Sequence, residues 1–427
     1  MKILWITNIL FPEAEQLLAG NGELKSSGGW MLGAADALHH KEDIKLIVAC
    51  VSNRVSTLTK LEGKKITYYV LPMGKGNQKV NLAYVPLWKN VEQEVQPDVI
   101  HIHGTEFSHA HACMKACNCQ HIVISIQGLT SVCYYYYYYG MAQWDVYKNL
   151  TLRDLIKGTV IHEQKQFKKR GEYEKEMLRM AKHIIGRTSW DRARVWAINP
   201  DAQYYFCNEI LRPEFYDGSS WNYAHCNKHS IFLSQAHYPI KGLHQVIKAM
   251  PFILWHYPDT IIRIAGRNIT CCETFSQRIR FSGYGSYIKR LINKLNLQNK
   301  VFFIGNLNAE EMKQEYLRSN VFICPSSIEN SPNSLGEAQI LGVPCLASYV
   351  GGIADMMRGN ENNLYRFEEV EVLAEKVCNV FAAEEKQIDM KAIAAERHDR
   401  KANSDTLYNI YKQVAGSQCL LSFLLHS

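Results

Sequence analysis

The stretch Val321-Phe322-Ile323-Cys324-Pro325-Ser326-Ser327-Ile328-Glu329-Asn330-Ser331-Pro332-Asn333-Ser334-Leu335-Gly336-Glu337-Ala338 changes character twice. It opens as an unbroken apolar run of strand length, the pattern of a strand buried on both faces of a parallel sheet. Pro325 ends the run, and the polar residues after it form a loop at the strand's carboxyl end. Ser331, Asn333 and Ser334 are N-cap candidates for a helix predicted over Leu335–Leu341. Strand, loop and helix in this order are the repeating unit of a doubly wound α/β fold, where ligands sit outside the carboxyl ends of the strands.

The unit recurs in both directions. The second half carries strands at Ser230–Ser234, Ile261–Ala265, Val301–Ile304 and Cys345–Ala347, with helices at Leu243–His256, Tyr287–Leu295 and Ala309–Arg318. The first half carries strands at Ile3–Thr7, Ile44–Val51, Val99–His103, Ile122–Ile126 and Ile184–Arg187, with helices at Trp30–His39, Leu82–Glu94 and Phe107–Ala116. Between them the Pro, Gly, Ser and Asn residues of Arg212–Lys228 interrupt the periodicity and mark a boundary. The fold class is therefore α/β: two Rossmann-like, doubly wound domains facing each other across a cleft, at residues 1–211 and 228–400.

Composition narrows the classes. The 427 residues suffice for two or three domains, and 47% apolar with 21% charged residues excludes a disordered or fibrous chain. No apolar stretch is long enough to span a bilayer, and Met1–Asn8 reads as a first strand instead of a signal peptide. A cytoplasmic protein is expected. The net charge of +7 permits an acidic partner without specifying nucleic acid. Thirteen scattered cysteines, an odd number, exclude a small disulfide scaffold and fit a reducing compartment.

The candidate chemistry lies in loops at strand ends. Lys241, in His237-Tyr238-Pro239-Ile240-Lys241-Gly242, precedes a helix and offers a compact ammonium to a phosphate. Glu329 falls in the loop after Val321–Cys324, and Glu337 in the first turns of the following helix, where a carboxylate also complements the dipole. Together they offer carboxylates to sugar hydroxyls and helix amides to phosphate oxygens. In the first half, Gly28 and Gly29 let backbone approach a ligand before a helix start. They do not form G-x-G-x-x-G, and no acidic residue follows about twenty positions on, which argues against a dinucleotide oxidoreductase.

At these residues the sequence resembles the retaining, GT-B-fold glycosyltransferases of family 4. The resemblance is carried by Glu329 and Glu337 with Pro332, Gly336, Gly342-Val343-Pro344 and Gly351-Gly352, preceded by Lys241-Gly242-Leu243, Ala265-Gly266 and Phe303-Ile304-Gly305. It is strongest from Ser230 to Met357 and weaker before Asn208. It implies a hexosyl transfer from a nucleotide-sugar donor to a hydroxyl of a glycan or lipid-linked glycan, with retention, in surface polysaccharide biosynthesis. The nucleotide sugar is a substrate and no cofactor is implied. Lys241 would stabilise the diphosphate leaving group, Glu329 would contact the donor sugar, and Glu337 would hold the ribose. Amides around Asn333, Ser334 and Leu335 would meet sugar or phosphate, and Gly28 and Gly29 would approach the diphosphate or the acceptor. A C-terminal helix within 401–427 would return to the first domain.

Two positions depart from the family. Gln235 stands near the place of an arginine that pairs with the lysine, and Gln127 stands where histidine commonly precedes the glycine. Arg267, just past Ala265-Gly266, is the candidate substitute for the missing cation. No two aspartates sit two apart, so the metal-binding D-x-D pattern is absent and metal-independent transfer is expected. His103, in His101-Ile102-His103, could contact the acceptor or be a core histidine. His109, His111, Cys113, Cys117, Cys119 and His121 invite a zinc reading, yet match no closed site spacing. The Trp144–Lys182 segment, with Lys157, Lys165, Lys168, Lys169 and Arg170 among apolar residues, reads as a solvated helical face or as a peripheral contact with an anionic membrane. The six tyrosines Tyr134–Tyr139 read as an aromatic loop or a partly buried helix. Competing functions are a sugar-nucleotide epimerase or phosphorylase on the same fold, and a non-catalytic binding subunit of a glycan-assembly complex.

Overall fold

The computed structural model describes residues 1–19, 29–73, 82–383 and 390–424. Its contacts divide the chain into two units. The first comprises Met1–Val132, Phe167–Arg212 and His398–Ser427, and the second Cys133–Gln166 and Pro213–Arg397.

The first unit is built on an eight-stranded sheet: β1 Lys2–Thr7, β2 Lys45–Ser52, β3 Thr59–Glu62, β4 Thr67–Pro72, β5 Val99–His103, β6 Ile122–Ser125, β7 His183–Gly186 and β8 Gln203–Phe206. The order is β3-β4-β2-β1-β5-β6-β7-β8, parallel throughout except for β3 against β4. Apolar runs at period two are buried on both faces. Leu4 and Ile6 join Ile47, Ile100 and Ile102 in one cluster, while Ile3 and Trp5 join Leu46, Val48 and Val99 in another. The helix Arg400–Leu424 closes the second cluster with Leu407, Ile410, Tyr411 and Val414. Trp5 Nε1 donates to Tyr411 Oη at 2.8 Å. Chain order reverses at β1 and β5, the place where such sheets open toward a ligand.

The second unit has six parallel strands: β9 Asn227–Leu233, β10 Ile261–Ile264, β11 Val301–Phe303, β12 Ser319–Cys324, β13 Cys345–Ser348 and β14 Leu364–Tyr365, ordered β11-β10-β9-β12-β13-β14. Its switch point lies between β9 and β12.

One expectation needs correcting. Residues 133–166 were expected in a first domain running to 211, but they pack with the second unit. The tyrosine run makes only a short 3-10 turn at Tyr134–Tyr136, and the carbonyls around it accept hydrogen bonds. Ser327 Oγ reaches Tyr136 O at 2.8 Å, His244 Nε2 reaches Tyr139 O at 3.0 Å and Lys248 Nζ reaches Gly140 O at 2.9 Å. Attachment through main-chain acceptors leaves no mark in side-chain periodicity. The segment after it forms three helices, Gln143–Lys148, Leu152–Lys157 and Val160–Met180.

Candidate active site

In the second unit, the loop after β9 tightens into a 3-10 turn at Pro239–Lys241 before the helix Leu243–His256. Gly242 joins the two at φ 70°, and a Cβ there would lie 1.7 Å from Pro325 O. Only glycine permits this contact between the β9 and β12 loops. Ser327 N donates to Ile240 O at 2.8 Å and ties the same loops together.

That tie brings Lys241 to Glu329. Lys241 Nζ bonds Glu329 Oε1, which also accepts from Ser326 Oγ at 2.8 Å. Gly352 N donates to the Glu329 carbonyl at 3.1 Å and fixes the carboxylate's backbone. The two side chains keep 18% and 15% of their surface exposed, so the pair is sheltered yet reachable. Burial works against the Lys241 ammonium, but the Glu329 carboxylate outweighs it and holds the pKa above the ordinary lysine value. Lys241 therefore stays charged throughout the neutral range.

The helix Asn333–Ile340 follows Pro332. Asn333 and Ser334 open it, whereas the Leu335 amide donates to Pro332 O at 3.0 Å and the Leu335 side chain is fully buried. The Leu335 amide is thus engaged within the first turn. Glu337 is buried in the same helix.

A cavity of about 450 Å³ lies at the carboxyl ends of β9, β10 and β11, lined by Gln235, His237, Gly266, Arg267, Asn306 and Met312 among others. Arg267 and Gln235 thus line one cavity. Lys241, Glu329 and Glu337 are not among its lining residues. His237 links the two places. Burial first, then the positive charges of Arg267 and Lys241, pull its pKa down to about 4, so the imidazole is neutral at pH 7. Sequence reading passed over His237 because nothing about a lone loop histidine announces two neighbouring cations.

In the first unit, His103 is buried at the end of β5, 3.8 Å from the His101 ring and 4.5 Å from Trp5 between centroids. Burial, then Arg187, lowers its pKa to about 3. His101 is held by Tyr411 Oη and Ser125 Oγ, each at 2.6 Å. A small cavity of about 40 Å³ is lined by His101, His103, Gln127 and Arg187 among others. Gly29 opens the helix Gly29–His39, while Gly28 lies outside the described residues. Among the described residues no three metal-ligating side chains are grouped to hold an ion.

Residues 222–397, nearly all of the second unit's later stretch, match the family model for glycosyl transferases group 1. This region is therefore similar to the glycosyl transferases group 1 family. An uncharacterized glycosyltransferase of Methanocaldococcus jannaschii is 27% identical over 128 residues, 29% of this chain and 28% of its own length. The match thus spans little more than a quarter of that curated relative. Among solved structures, sucrose-phosphate synthase from Thermosynechococcus elongatus aligns with a TM-score of 0.65 at 16% identity, covering 100% of both chains. Anabaena Alr3699/HepE, solved in complex with UDP, aligns with a TM-score of 0.61 at 16% identity, covering 98% of this chain and 100% of its own. At such identities the structural likeness speaks for the fold, the paired parallel-sheet α/β organisation of GT-B glycosyltransferases. The matched region contains Lys241, Arg267, Glu329, Asn333, Ser334 and Glu337.

Proposed function

We propose that the chain is a glycosyltransferase that moves a hexosyl group from a nucleotide-sugar donor to a hydroxyl of a glycan or lipid-linked glycan, with retention, in surface polysaccharide biosynthesis. The observation that carries this reading is the convergence of Lys241 and Glu329, from two strand-end loops, inside the matched region and beside the Arg267 cavity. The bound UDP in the Anabaena relative supports a nucleoside diphosphate as the group held.

Breaking a sugar–diphosphate bond builds positive charge at the anomeric carbon and negative charge on phosphate. Lys241 and Arg267 meet the phosphate charge, together with the opening amides of the helix Asn333–Ile340. Glu329 keeps Lys241 charged and aimed and contacts the donor sugar, Glu337 holds the ribose, and His103 faces the acceptor as a neutral imidazole. These cations and amides do the work of a divalent ion, so transfer proceeds without metal. Excess EDTA is expected to leave the rate unchanged, and a chelator-sensitive rate restored by magnesium would overturn metal independence. Melting-temperature screening with nucleoside diphosphates tests the donor site directly. At a hundred times its dissociation constant a bound ligand stabilises by about 2.7 kcal/mol. No shift with any of them would overturn the reading. The comparisons favour neither the epimerase nor the non-catalytic alternative.

A second part of the reading concerns place. No described helix is long and apolar enough to cross a membrane. Contact with an anionic lipid surface is nonetheless favoured by one patch of the second unit. Leu155 and Ile156 are 75% and 72% exposed, and Phe275 is 78% exposed on the helix Phe275–Arg280, which packs against Leu152–Lys157. Stretches 143–157 and 271–294 together carry eight Lys or Arg against three Asp or Glu. Apolar side chains ringed by cations suit an anionic interface. Cosedimentation with phosphatidylglycerol vesicles, weakened by Leu155→Ser with Phe275→Ser and absent with phosphatidylcholine, is the expected result. Equal binding to neither lipid would remove the membrane from the proposal.

A further inference from the structure

We propose that His237 is a further donor-binding residue, serving as a second cation beside Arg267 once it has taken a proton from solvent. This deepens the nucleotide-sugar reading above and rests on it. The site lies wholly within the second unit. The cavity of about 450 Å³ gathers the loops after β9, β10 and β11. Gln235 and His237 reach it from the first, Arg267 from the second and Asn306 from the third, and none of its lining residues is acidic. Gly266 N donates to Gly305 O at 2.7 Å and ties the second loop to the third just before Arg267. Arg267 enters no ion pair among the described residues. A pocket with an uncompensated guanidinium, side-chain amides and no carboxylate suits an anion. His237 is exposed, so an anion in the cavity can meet its ring. The ring stands edge-on to Tyr238, 4.5 Å away between centroids.

The charges around this imidazole come from two loops. Arg267 acts on it from the loop after β10, and Lys241 from the turn that ends its own loop, where Glu329 of the β12 loop already meets the ammonium. Tyr238 is the other titratable neighbour, and burial keeps its phenol protonated. Burial first, then Arg267 and Lys241, hold the imidazole neutral, with its pKa down to about 4. A pyrophosphate diester is doubly negative. Beside the ring it would offset both cations and favour the imidazolium, as the Glu329 carboxylate favours the Lys241 ammonium despite burial. The imidazolium then donates a charge-assisted hydrogen bond to a phosphate oxygen. Binding takes up a proton wherever pH lies between the free and the bound pKa. Affinity therefore rises as pH falls through the bound value and levels off below about 4.

The test uses the full chain with UDP-, GDP- and ADP-glucose, whose pyrophosphate diesters do not titrate near neutrality. Isothermal titration calorimetry at about pH 6, in buffers of different ionisation enthalpy, counts the protons taken up. Wild type is expected to take up a measurable fraction of a proton with each nucleotide sugar bound. Its affinity is expected to rise from pH 7.5 to pH 5.5, by at most about tenfold per pH unit. His237→Asn should take up none, and its affinity should stay flat. His237→Lys, permanently charged, should bind at pH 7.5 about tenfold more tightly than His237→Asn. Both variants replace an exposed side chain and are expected to melt with the wild type. Binding by wild type without proton uptake, or equal uptake in wild type and His237→Asn, would overturn the assignment and leave the donor reading standing. Wild type that binds none of the three nucleotide sugars would defeat the donor reading, and this assignment with it.

Discussion

Lys241 and Glu329 act as one group in this structure, because each carries the other's counter-charge in a sheltered place. Lys241→Ala is therefore expected to cost about 10²–10³-fold in kcat by removing a cation aimed at the leaving group. Arg267→Ala is expected to lower turnover by a smaller factor and to weaken nucleoside diphosphate binding. Turnover unchanged in Arg267→Ala but abolished in Lys241→Ala would show that Arg267 does not replace the cation missing at Gln235. The placement of the lysine and the two glutamates was legible in the sequence: Lys241 lies in the turn before a helix, Glu329 in the loop after β12 and Glu337 in the helix that follows. His237 was not legible. Its lowered pKa comes from burial first and then from the cations Arg267 and Lys241, of which Arg267 is distant in sequence.

Among the elements, apolar runs told the central strands of both sheets, since burial on both faces demands them. The edge strands β3 and β8 of the first sheet escaped notice: β3 alternates exposed with partly buried residues, and β8 is partly buried at most. The β9 and β12 loops are joined so closely that Gly242→Ala is expected to destabilise the chain by about 3 kcal/mol or more, through a backbone clash and a strained φ. Chemical denaturation would measure it, and a loss below about 1 kcal/mol would show that the loops part easily. Ser327→Ala removes the donor to Tyr136 O and is expected to cost about 1 kcal/mol. It also loosens the strap formed by 133–140, which limited proteolysis of that segment would reveal.

At the scale of the molecule, stability should depend on acidity. His101, His103, His109 and His244 are buried, and burial lowers the pKa of each below 6.5. Their neutral forms are favoured in the native state, so between pH 6.5 and the lower native values the unfolded chain binds more protons. The contribution is complete above pH 6.5 and is lost as pH falls. Each such histidine steepens the loss by up to about 1.4 kcal/mol per pH unit. Melting temperature is expected to fall from pH 7.5 to pH 5, with a shallower slope in His103→Gln; a flat profile would contradict the buried neutral imidazoles. The two-unit organisation was readable from repeated strand–loop–helix units, whereas the crossing of 133–166 into the second unit depends on backbone carbonyls that carry no residue-type signal.

The contact between Trp5 and Tyr411 has a bearing on synthesis. The first unit's interior joins β1 to a helix that the ribosome makes much later, with Trp5 and Tyr411 separated by 406 positions. The second unit, Cys133–Gln166 with Pro213–Arg397, is fully translated before that helix appears. Nascent chains halted near residue 397 should thus hold a protease-resistant second unit and an unfinished first one, whose strands would need shielding from aggregation until the helix Arg400–Leu424 emerges.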